Sequence, residues 1–594
     1  MKRLAPILLC LVIALCASCK KESTPPPAAE YKDPLPIPQD ALGVNVSGKH
    51  GGSLVSAILS EVKSFNTLTF NDDTGQMLNQ LMNPGLTQLN LITQQPEPAL
   101  AKSWQSSPDS LTWIFHLREG VFWSDGHPFN ADDVLFTMQI VNDKSIATGA
   151  QDALLQGNIV WTKINDYSVQ AKLPEVLVSF LRAVDGPTVP IIPKHKWQKI
   201  YQQGKFEEAM QVSMDPKEYV TLGAFILKSY KPGQNFTIIR NPHYWKVDKN
   251  GRRLPYFDEI TFLMLPTQEQ IFLKILSGEI DTFYSIRPED VERLQQKAQS
   301  IGLKVIKVGP SYDAEFLWFN MNGGKNPKNR KPYVDPMKRA WFTDVNFRRA
   351  VSHAVNRDNI VQNVFYGKGI PAWGSESTSN KLWYNDKITR YLYNPEKALE
   401  LLKASGFVQK KDSLEKTKLY DKKGNEVRFA LHTNSENSLR TMQCNLIASD
   451  LSRIGMQVEF TPLNFNTLGT KIQSLFDYEA ILLGLSHDDV DPTGGSNVWF
   501  SSGSLHFWWP LQKSPATEWE KRVDELMRLQ QNEFDYALRK KYYDEVQQIV
   551  SDQAPVIYTV NQIIYACAKE KLGNLRPSVA RHRTLWNADE LFWQ

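Results

Sequence analysis

The sequence predicts an α/β fold with more than one domain. Runs rich in β-formers alternate with amphipathic helical runs along the chain, which is typical of sheets covered by helices. Residues 49–594 form the body that would fold, and a body of this length is too large for one hydrophobic core. We therefore expect two or three domains, built from the segments taken below in chain order.

The N-terminal segment has the layout of a secretory signal peptide, predicted over residues 1–18. A short basic region precedes an apolar run over residues 7–17, which is shorter than the ~20 residues that a helix needs to cross a bilayer. Small residues precede Cys19, which resembles the cleavage site of bacterial lipoproteins, where the cysteine receives a lipid. Cys16 stands where leucine is usual, so ordinary secretion and an uncleaved anchor stay open as alternatives.

Residues 19–48 are predicted to be a proline-rich tether. Residues 25–27 are all proline, and three more prolines follow at positions 34, 36 and 38. Proline has no N–H to donate, so such a stretch favours extended, solvated conformations. We expect the tether to hold the body outside the cytoplasm, anchored to a membrane through a lipidated Cys19. A disordered leader without a role is the alternative.

Composition excludes several classes of protein. The formal net charge is +4, and loss of Lys2 and Arg3 with the signal peptide lowers it by two, to +2, so we expect no nucleic-acid partner. The body contains only Cys444 and Cys567, both among apolar neighbours, which indicates buried free thiols instead of a disulfide framework. The sequence predicts no cofactor and no resident metal.

The first half of the body begins with strands and turns. A glycine turn leads into an apolar strand over residues 53–58. Residues 111–118 alternate as a half-buried strand should, and Glu119-Gly120 predicts a hairpin to a partner strand at 121–123. Asn130 is expected to cap a helix that has acidic residues in its first turn.

Further segments continue the alternation. A strand is expected over residues 258–262, followed by a helix over 268–276 that ends at Gly278. Amphipathic periodicity predicts helical regions over 345–365 and 519–550, whose apolar faces belong to the core and not to a cofactor site.

Short motifs recur over the whole body in a fixed order. They are Pro98-Ala99-Leu100-Ala101 with Ser103-Trp104, Phe115-His116-Leu117-Arg118 with Gly120-Val121, Ser124-Asp125-Gly126 with Ala131-Asp132-Asp133-Val134, Arg240-Asn241-Pro242 with Tyr244-Trp245, Gly278-Glu279-Ile280-Asp281, Asp344-Val345-Asn346-Phe347-Arg348-Arg349-Ala350 with Ala354-Val355-Asn356-Arg357, Asp491-Pro492, and Ala554-Pro555-Val556-Ile557. This series resembles the peptide and nickel class of bacterial extracellular solute-binding proteins, the oligopeptide- and dipeptide-binding components of ABC transporters.

The resemblance implies a type II periplasmic-binding-protein-like fold. Two α/β lobes would be joined by a hinge, with an extra domain inserted in the first lobe. Its crossing segments are expected near residues 312–320 and 553–560. The boundaries that follow are 49–75, 215–315 and 555–594 for lobe I, 76–214 for the extra domain, and 316–554 for lobe II.

The function implied is capture of short peptides between the lobes and delivery to an ABC transporter permease, by a monomer that is not an enzyme. The sequence contains neither a Gly-x-Ser-x-Gly elbow nor a His-Glu-x-x-His motif, which agrees with binding without catalysis. Two alternatives stay open. One is the same fold with another solute, such as a nickel chelate, haem, an opine or an oligosaccharide. The other is peptide sensing or a chaperone role without transport.

The ligand-binding candidates lie in an acidic run that follows the apolar strand predicted at residues 480–484, where α/β sheets place ligands. In peptide binders of this family, an acidic residue four places before the proline holds the ligand's amino terminus, and that position here is Asp488. A carboxylate–ammonium pair is worth ~1.5–3 kcal/mol. Asp489 and Asp491 complete the run. A merely solvated loop and a bound calcium ion are the alternatives.

Aromatic residues are expected to line the cleft. Phe465 falls where oligopeptide binders have an aromatic cleft residue, and Trp499 and Phe500 are further candidates, with core packing as the alternative for each. Leu485 and Ser486 stand where these peptide binders often have tryptophan, so one ring is missing or is supplied from elsewhere.

Overall fold

The computed structural model describes residue 33 and residues 35–69, 73–154, 157–485, 490–580 and 584–594. The predicted signal peptide and Cys19 lie outside the described residues. The strands are β1 (Leu42–Gly43), β2 (Ser53–Ile58), β3 (Thr87–Asn90), β4 (Gln95–Pro98), β5 (Ala101–Ser106), β6 (Thr112–Leu117), β7 (Val160–Asn165), β8 (Ser168–Lys172), β9 (Phe225–Lys231), β10 (Asn235–Arg240), β11 (Lys246–Val247), β12 (Glu259–Met264), β13 (Thr282–Phe283), β14 (Leu303–Pro310), β15 (Ala314–Phe319), β16 (Gly369–Pro371), β17 (Val408–Lys411), β18 (Thr417–Tyr420), β19 (Arg428–Asn434), β20 (Gln457–Leu463), β21 (Ala480–Leu485), β22 (Val556–Tyr558), β23 (Val560–Lys569), β24 (Leu572–Gly573) and β25 (Phe592–Trp593).

Helices alternate with these strands. They are α1 (Asp73–Met82), α2 (Ala131–Asn142), α3 (Ala150–Ala153), α4 (Phe180–Ala183), α5 (Lys194–Gln202), α6 (Gln268–Leu276), α7 (Val291–Ala298), α8 (Pro336–Phe342), α9 (Val345–Ala354), α10 (Arg357–Asn363), α11 (Pro395–Ala404), α12 (Ser438–Arg453), α13 (Phe465–Thr470), α14 (Ser496–Trp499), α15 (Glu518–Gln531) and α16 (Tyr536–Gln553). Within the described ranges, no helix is long and apolar enough to cross a membrane.

Two sheets form the first lobe. One has the order β2-β12-β10-β9, with β2 parallel to β12 and the other pairs antiparallel. The other has the order β13-β23-β14, and β16 pairs with β23 beside it. Helices α6 and α7 contribute buried side chains to the core cluster of this second sheet.

A four-stranded sheet with the order β5-β6-β8-β7 forms the extra domain, together with α2. Its apolar side chains belong to one continuous cluster. This cluster also includes residues of the first lobe's β2 and β10, and Leu591 near the C-terminus. The extra domain and the first lobe therefore share a core, and the domain boundaries listed above stay a prediction.

The second lobe contains a five-stranded sheet with the order β20-β19-β21-β15-β22. Strands β19, β20 and β21 run parallel, and β15 is antiparallel to its neighbours β21 and β22. A separate apolar cluster reaches from Ala314 to Val560 and includes faces of α9, α12, α15 and α16.

Within the described residues, two short links join the lobes, and β16, which lies between the second-lobe residues Phe365 and Ala372, also pairs with β23. Residues 311–313 connect β14 of the first lobe to β15 of the second, and Thr559 connects β22 of the second lobe to β23 of the first. The strands on each side are paired, β15 with β22 and β14 with β23, so the two links lie side by side. Such an arrangement is suited to a hinge.

Several helices begin where a polar side chain caps them. Asn130 caps α2 in a capping box with Asp133, as the sequence indicates. The expected helical region at 345–365 is two helices, because Asn356 caps a new start at α10. In the same way, Asp535 caps α16 and divides the region predicted over 519–550.

The hairpin expected between residues 111–118 and 121–123 is wrong. Strand β6 pairs with β5 and β8, so both of its edges are occupied. Residues 121–123 instead fold back on residues 127–129, with the Trp123 amide donating to the His127 carbonyl at 2.8 Å.

The last part of the predicted tether packs on the body. Arg253, only 1% exposed, pairs with Asp33 at 2.8 Å and donates to the carbonyl of Pro36 at 2.6 Å. Strand β1 then pairs with β11 of the body. Asp33, Pro36 and strand β1 therefore contact the folded body.

Cys444 and Cys567 are buried free thiols, as the sequence predicts. Burial raises the pKa of both thiols, that of Cys567 to about 12.

Candidate ligand-binding cleft

One edge of the second-lobe sheet faces the first lobe. The parallel strands β19, β20 and β21 end at this edge, at Asn434, Leu463 and Leu485. Strand β22 ends there too and β15 begins there, so both hinge links leave from the same edge. In α/β sheets, ligands bind outside the carboxyl ends of the strands. We call this region the cleft edge.

The strand that precedes the predicted acidic run ends at the cleft edge. Strand β21 ends at Leu485, and the chain is described again from Val490. Asp488 and Asp489 lie outside the described residues, as does Ser486. Val490, the first described residue after them, packs against Tyr312 of the first link, so the end of the run lies beside the hinge.

Asp491 is buried and paired. Its carboxylate accepts hydrogen bonds from Arg539 at 2.7 and 3.0 Å, and from the Thr493 amide at 3.0 Å. Burial alone would raise the pKa of Asp491, but hydrogen bonds and charge from Arg539 outweigh it and lower the pKa below its ordinary value. These bonds fix Asp491, and with it the end of the acidic run. Contact between Asp491 and a ligand stays a prediction.

Phe465 lies at the cleft edge just beyond β20, as the first residue of α13. Its side chain is 57% exposed. Its amide donates to the Glu436 carboxylate at 3.0 Å, and this bond lowers the pKa of Glu436. A cap from the turn after β19 thus orients the backbone that presents the ring.

The other two aromatic candidates face inward to different degrees. Trp499 is buried in the second-lobe core, where it lines a small void together with Phe316, Leu485 and Tyr558. Phe500 is half-buried, and the Arg528 guanidinium lies 5.5 Å from its ring centroid. Of the three candidates, only Phe465 has a mostly exposed ring.

An ion pair that the sequence analysis missed lies at the cleft edge. Arg440, near the start of α12, donates to both carboxylate oxygens of Glu315 on β15, at 2.8 and 3.0 Å, and to Asn434 Oδ1 at 3.0 Å. A side chain at Gly484 would place its Cβ 2.5 Å from Arg440 Nη2. Spacing could not indicate this pair, because 125 residues separate its members.

The lobes also meet beside the first link. We name this region the cross-lobe contact; it consists of Leu91, Tyr312, Val490, Val579 and Ala580. Beside it, Gln94 Nε2 donates to the Tyr312 hydroxyl, and Arg182 donates to the Gln94 carbonyl. The charge of Arg182 also lowers the pKa of Asp491. The β3–β4 hairpin and the extra domain therefore contact the second lobe beside the acidic run.

No group of three His, Cys, Asp or Glu side chains suited to a metal ion occurs in the part of the chain that the structure describes. Two of the three carboxylates named for the calcium alternative lie outside that part.

Comparison with known proteins identifies the family. The family model "Bacterial extracellular solute-binding proteins, family 5 Middle" matches residues 95–506. The chain belongs to this family. The family-5 chain is 26% identical over 542 residues to a probable ABC transporter-binding protein of Deinococcus radiodurans, covering 87% of this chain and 88% of that protein. It is 24% identical over 516 residues to a dipeptide-binding protein of Escherichia coli, covering 84% and 87%.

Solved structures confirm the fold class of this family-5 protein. The oligopeptide-binding protein AppA from Bacillus subtilis, in complex with a nonapeptide, aligns with a TM-score of 0.69 and 22% identity over 92% of this chain and 100% of that one. The periplasmic binding protein MelB from Agrobacterium fabrum, in complex with stachyose, aligns with a TM-score of 0.73 and 20% identity over 94% and 88%. The type II periplasmic-binding-protein fold is thus confirmed, and it accommodates chemically different solutes.

Proposed function

We propose that this protein is the substrate-binding lipoprotein of an ABC importer and that it captures short peptides between its lobes for delivery to a permease. The observation that best supports this proposal is that β21, the strand before the acidic run in the sequence, ends at the cleft edge, while Asp491 at the end of the run is held by Arg539. The names of the relatives that bind dipeptides and a nonapeptide agree with this cargo.

The chemistry of a peptide explains why carboxylates belong at this edge. A short peptide has an ammonium group that loses water when the lobes close, and an unpaired buried charge costs several kcal/mol. We propose that Asp488 accepts this ammonium group. Asp491 is already occupied by Arg539, which would hold the loop end while Asp488 meets the ligand. Phe465 would supply an apolar wall for a side chain of the ligand.

Delivery would depend on closure of the hinge. A ligand that contacts both lobes stabilises the closed state by its difference in affinity for the two states. The permease would then bind the closed form. We further propose that the protein acts as a monomer without enzymatic activity, outside the cytoplasm, and that the lipid on Cys19 attaches it to the membrane.

The amine-binding role can be tested with Asp488→Asn. This variant should weaken binding of peptides with free amino termini by ~1.5–3 kcal/mol, or roughly 10- to 150-fold in Kd. Isothermal calorimetry with a free and an N-acetylated form of one peptide separates this interaction from general effects, because the acetylated form should not respond to the substitution.

Asp477→Asn is the matched control. Asp477 lies before the start of β21, at the opposite end from the cleft edge, and its side chain is 72% exposed. It should not change peptide affinity. Equal affinities of the wild-type protein and Asp488→Asn for the free peptide would exclude Asp488 from the site.

Mass spectrometry of protein from the native host provides the second test: a series of short peptides supports the cargo, and one defined non-peptide molecule refutes it.

A further inference from the structure

A cavity of about 280 Å³ lies outside the cleft, at the junction of the first lobe and the extra domain. The end of α1, the β3–β4 hairpin, residues 244–246 and the C-terminal segment 574–590 all contribute to its wall. Among the described residues from 247 to 573 none lines it, so the described part of the second lobe takes no part. Domain junctions are common places for small-molecule sites, and this volume is close to the lower end of their usual range of about 300–1,000 Å³.

The charged groups in this wall are paired with wall residues. Lys246 contacts Asp589 at 3.2 Å and donates to Gln88 at 3.0 Å. Arg576 pairs with Glu590. Glu97 accepts from the Asn90 amide at 2.8 Å. A charged ligand would therefore have to displace these charged partners, whereas a neutral ligand would compete only for single hydrogen bonds, such as those of Gln88 and Asn90.

Carboxamide side chains dominate the remaining polar surface of the wall. They are Asn45, Asn79, Gln80, Asn83, Gln88, Asn90, Asn574 and Asn587. Each amide offers both donors and an acceptor. Asn79 and Asn587 are almost fully buried, and Asn79 Nδ2 and Asn587 Oδ1 have no hydrogen-bond partner among the described residues. Several of these amides already bond to other protein groups, as Gln80 does to Trp586 and Asn574 does to Glu590, so the wall combines occupied and unoccupied donors and acceptors.

Aromatic rings complete the wall. Trp586 is half-buried, with Arg576 4.9 Å from its ring centroid, and Tyr244 and Trp245 line the other side. Tyr244 and Trp245 are 5% and 1% exposed, so Trp586 supplies most of the accessible flat apolar surface. A ligand with C–H faces and several hydroxyl groups matches both the rings and the amides.

We propose that this cavity binds a neutral polyhydroxylated molecule of monosaccharide size, independently of the cleft. Every hydroxyl group both donates and accepts, so it can be satisfied by side-chain amides in either orientation. The proposal concerns a site that shares no lining residue with the cleft edge.

The test uses the mature protein and a panel of glucose, galactose, mannose, ribose, myo-inositol and glycerol. Saturation-transfer NMR should detect at least one of these at millimolar concentration, and calorimetry should give its Kd. Asn45 is exposed and lines the cavity, so Asn45→Trp should block access and weaken this binding at least tenfold. Gln296→Trp, an equally exposed position on α7, is the matched control and should leave the Kd unchanged.

Hydrogen exchange then locates the ligand. Protection should appear in residues 87–90 and 585–590, which line the cavity, and should persist when a saturating peptide mixture is present. Melting curves of both variants that match the wild-type curve exclude a folding defect. The proposal is refuted if no member of the panel binds, if Asn45→Trp leaves the Kd unchanged, or if protection appears at the cleft edge instead.

Discussion

The buried Asp491–Arg539 pair gives the sharpest test of how the second lobe holds its acidic run. The substitution Asp491→Asn preserves the shape of the side chain and an oxygen that accepts from the Thr493 amide. It removes the negative charge opposite Arg539, whose side chain is 9% exposed, while that of Asp491 is 5% exposed. Removal of one partner from a buried pair typically costs about 3–5 kcal/mol, because the other charge is left without compensation.

The structure places the expected loss near the lower end of this range. Arg539 retains hydrogen bonds to the Gln530 carbonyl at 3.0 Å and to Gln530 Oε1 at 2.9 Å, and its guanidinium lies 4.8 Å from the Trp383 ring centroid. We therefore expect Asp491→Asn to lower the free energy of unfolding of the second lobe by about 3 kcal/mol. The double variant Asp491→Asn with Arg539→Met should recover part of this loss, because neither charge is then buried alone.

The effect should depend on pH with a defined sign. The pKa of Asp491 is lower in the folded protein than the ordinary value of about 3.9. Its contribution is therefore fully present above that ordinary value, and it is lost as the pH falls through the folded pKa. The difference between wild type and Asp491→Asn should be constant between pH 6 and 8 and should shrink below about pH 4.

Urea titration with hydrogen exchange resolves the second lobe from the rest, which matters because unfolding of a chain with several domains need not be two-state. Asp477→Asn, which breaks the exposed pair with Lys471, is the control and should change the stability by less than about 1 kcal/mol. If Asp491→Asn proves as stable as the control, or if its deficit persists at low pH, the pair does not stabilise this lobe.

Three further outcomes are expected. Phe465→Ala should weaken peptide binding without loss of stability, because the ring is mostly exposed. An unchanged Kd in calorimetry together with a lowered melting temperature would contradict this prediction. Cys19→Ser should move the protein from the membrane fraction to the soluble extracytoplasmic fraction and abolish labelling by a fatty-acid analogue, and continued labelling would contradict the proposed anchor. Cys444 and Cys567 should react with a thiol reagent only after unfolding, since burial raises both pKa values; rapid reaction of the native protein would show that at least one thiol is accessible.

Local signals predicted many elements of the fold correctly. The apolar run after the glycine turn is β2, and Asn130 caps α2, because a side-chain cap and an alternating pattern act over a few residues. The prediction of a hairpin at residues 121–123 was wrong, because a strand can pair only with a partner strand that has a free edge. Strand β6 is already paired on both sides by β5 and β8, and a local turn signal does not reveal this.

The candidate site could be predicted only in part for the same reason. The position of the acidic run after an apolar strand was visible in the sequence, and β21 does end at the cleft edge. The pairing of Asp491 with Arg539 joins residues 48 positions apart, and that of Glu315 with Arg440 joins residues 125 apart. Such contacts depend on the packing of helices against the sheet, which periodicity alone does not specify.

The bond between Arg253 and Asp33 limits how far the body can move from a membrane. If Cys19 has a lipid as proposed, the chain between the lipid and the first described contact with the body runs from residue 19 to residue 33 and not to residue 48. An extended chain spans at most ~3.3–3.6 Å per residue, so these 14 steps reach about 50 Å, whereas 29 steps would reach about 100 Å. A tether halved in this way would keep the Asp33–Arg253 contact within about 50 Å of the lipid.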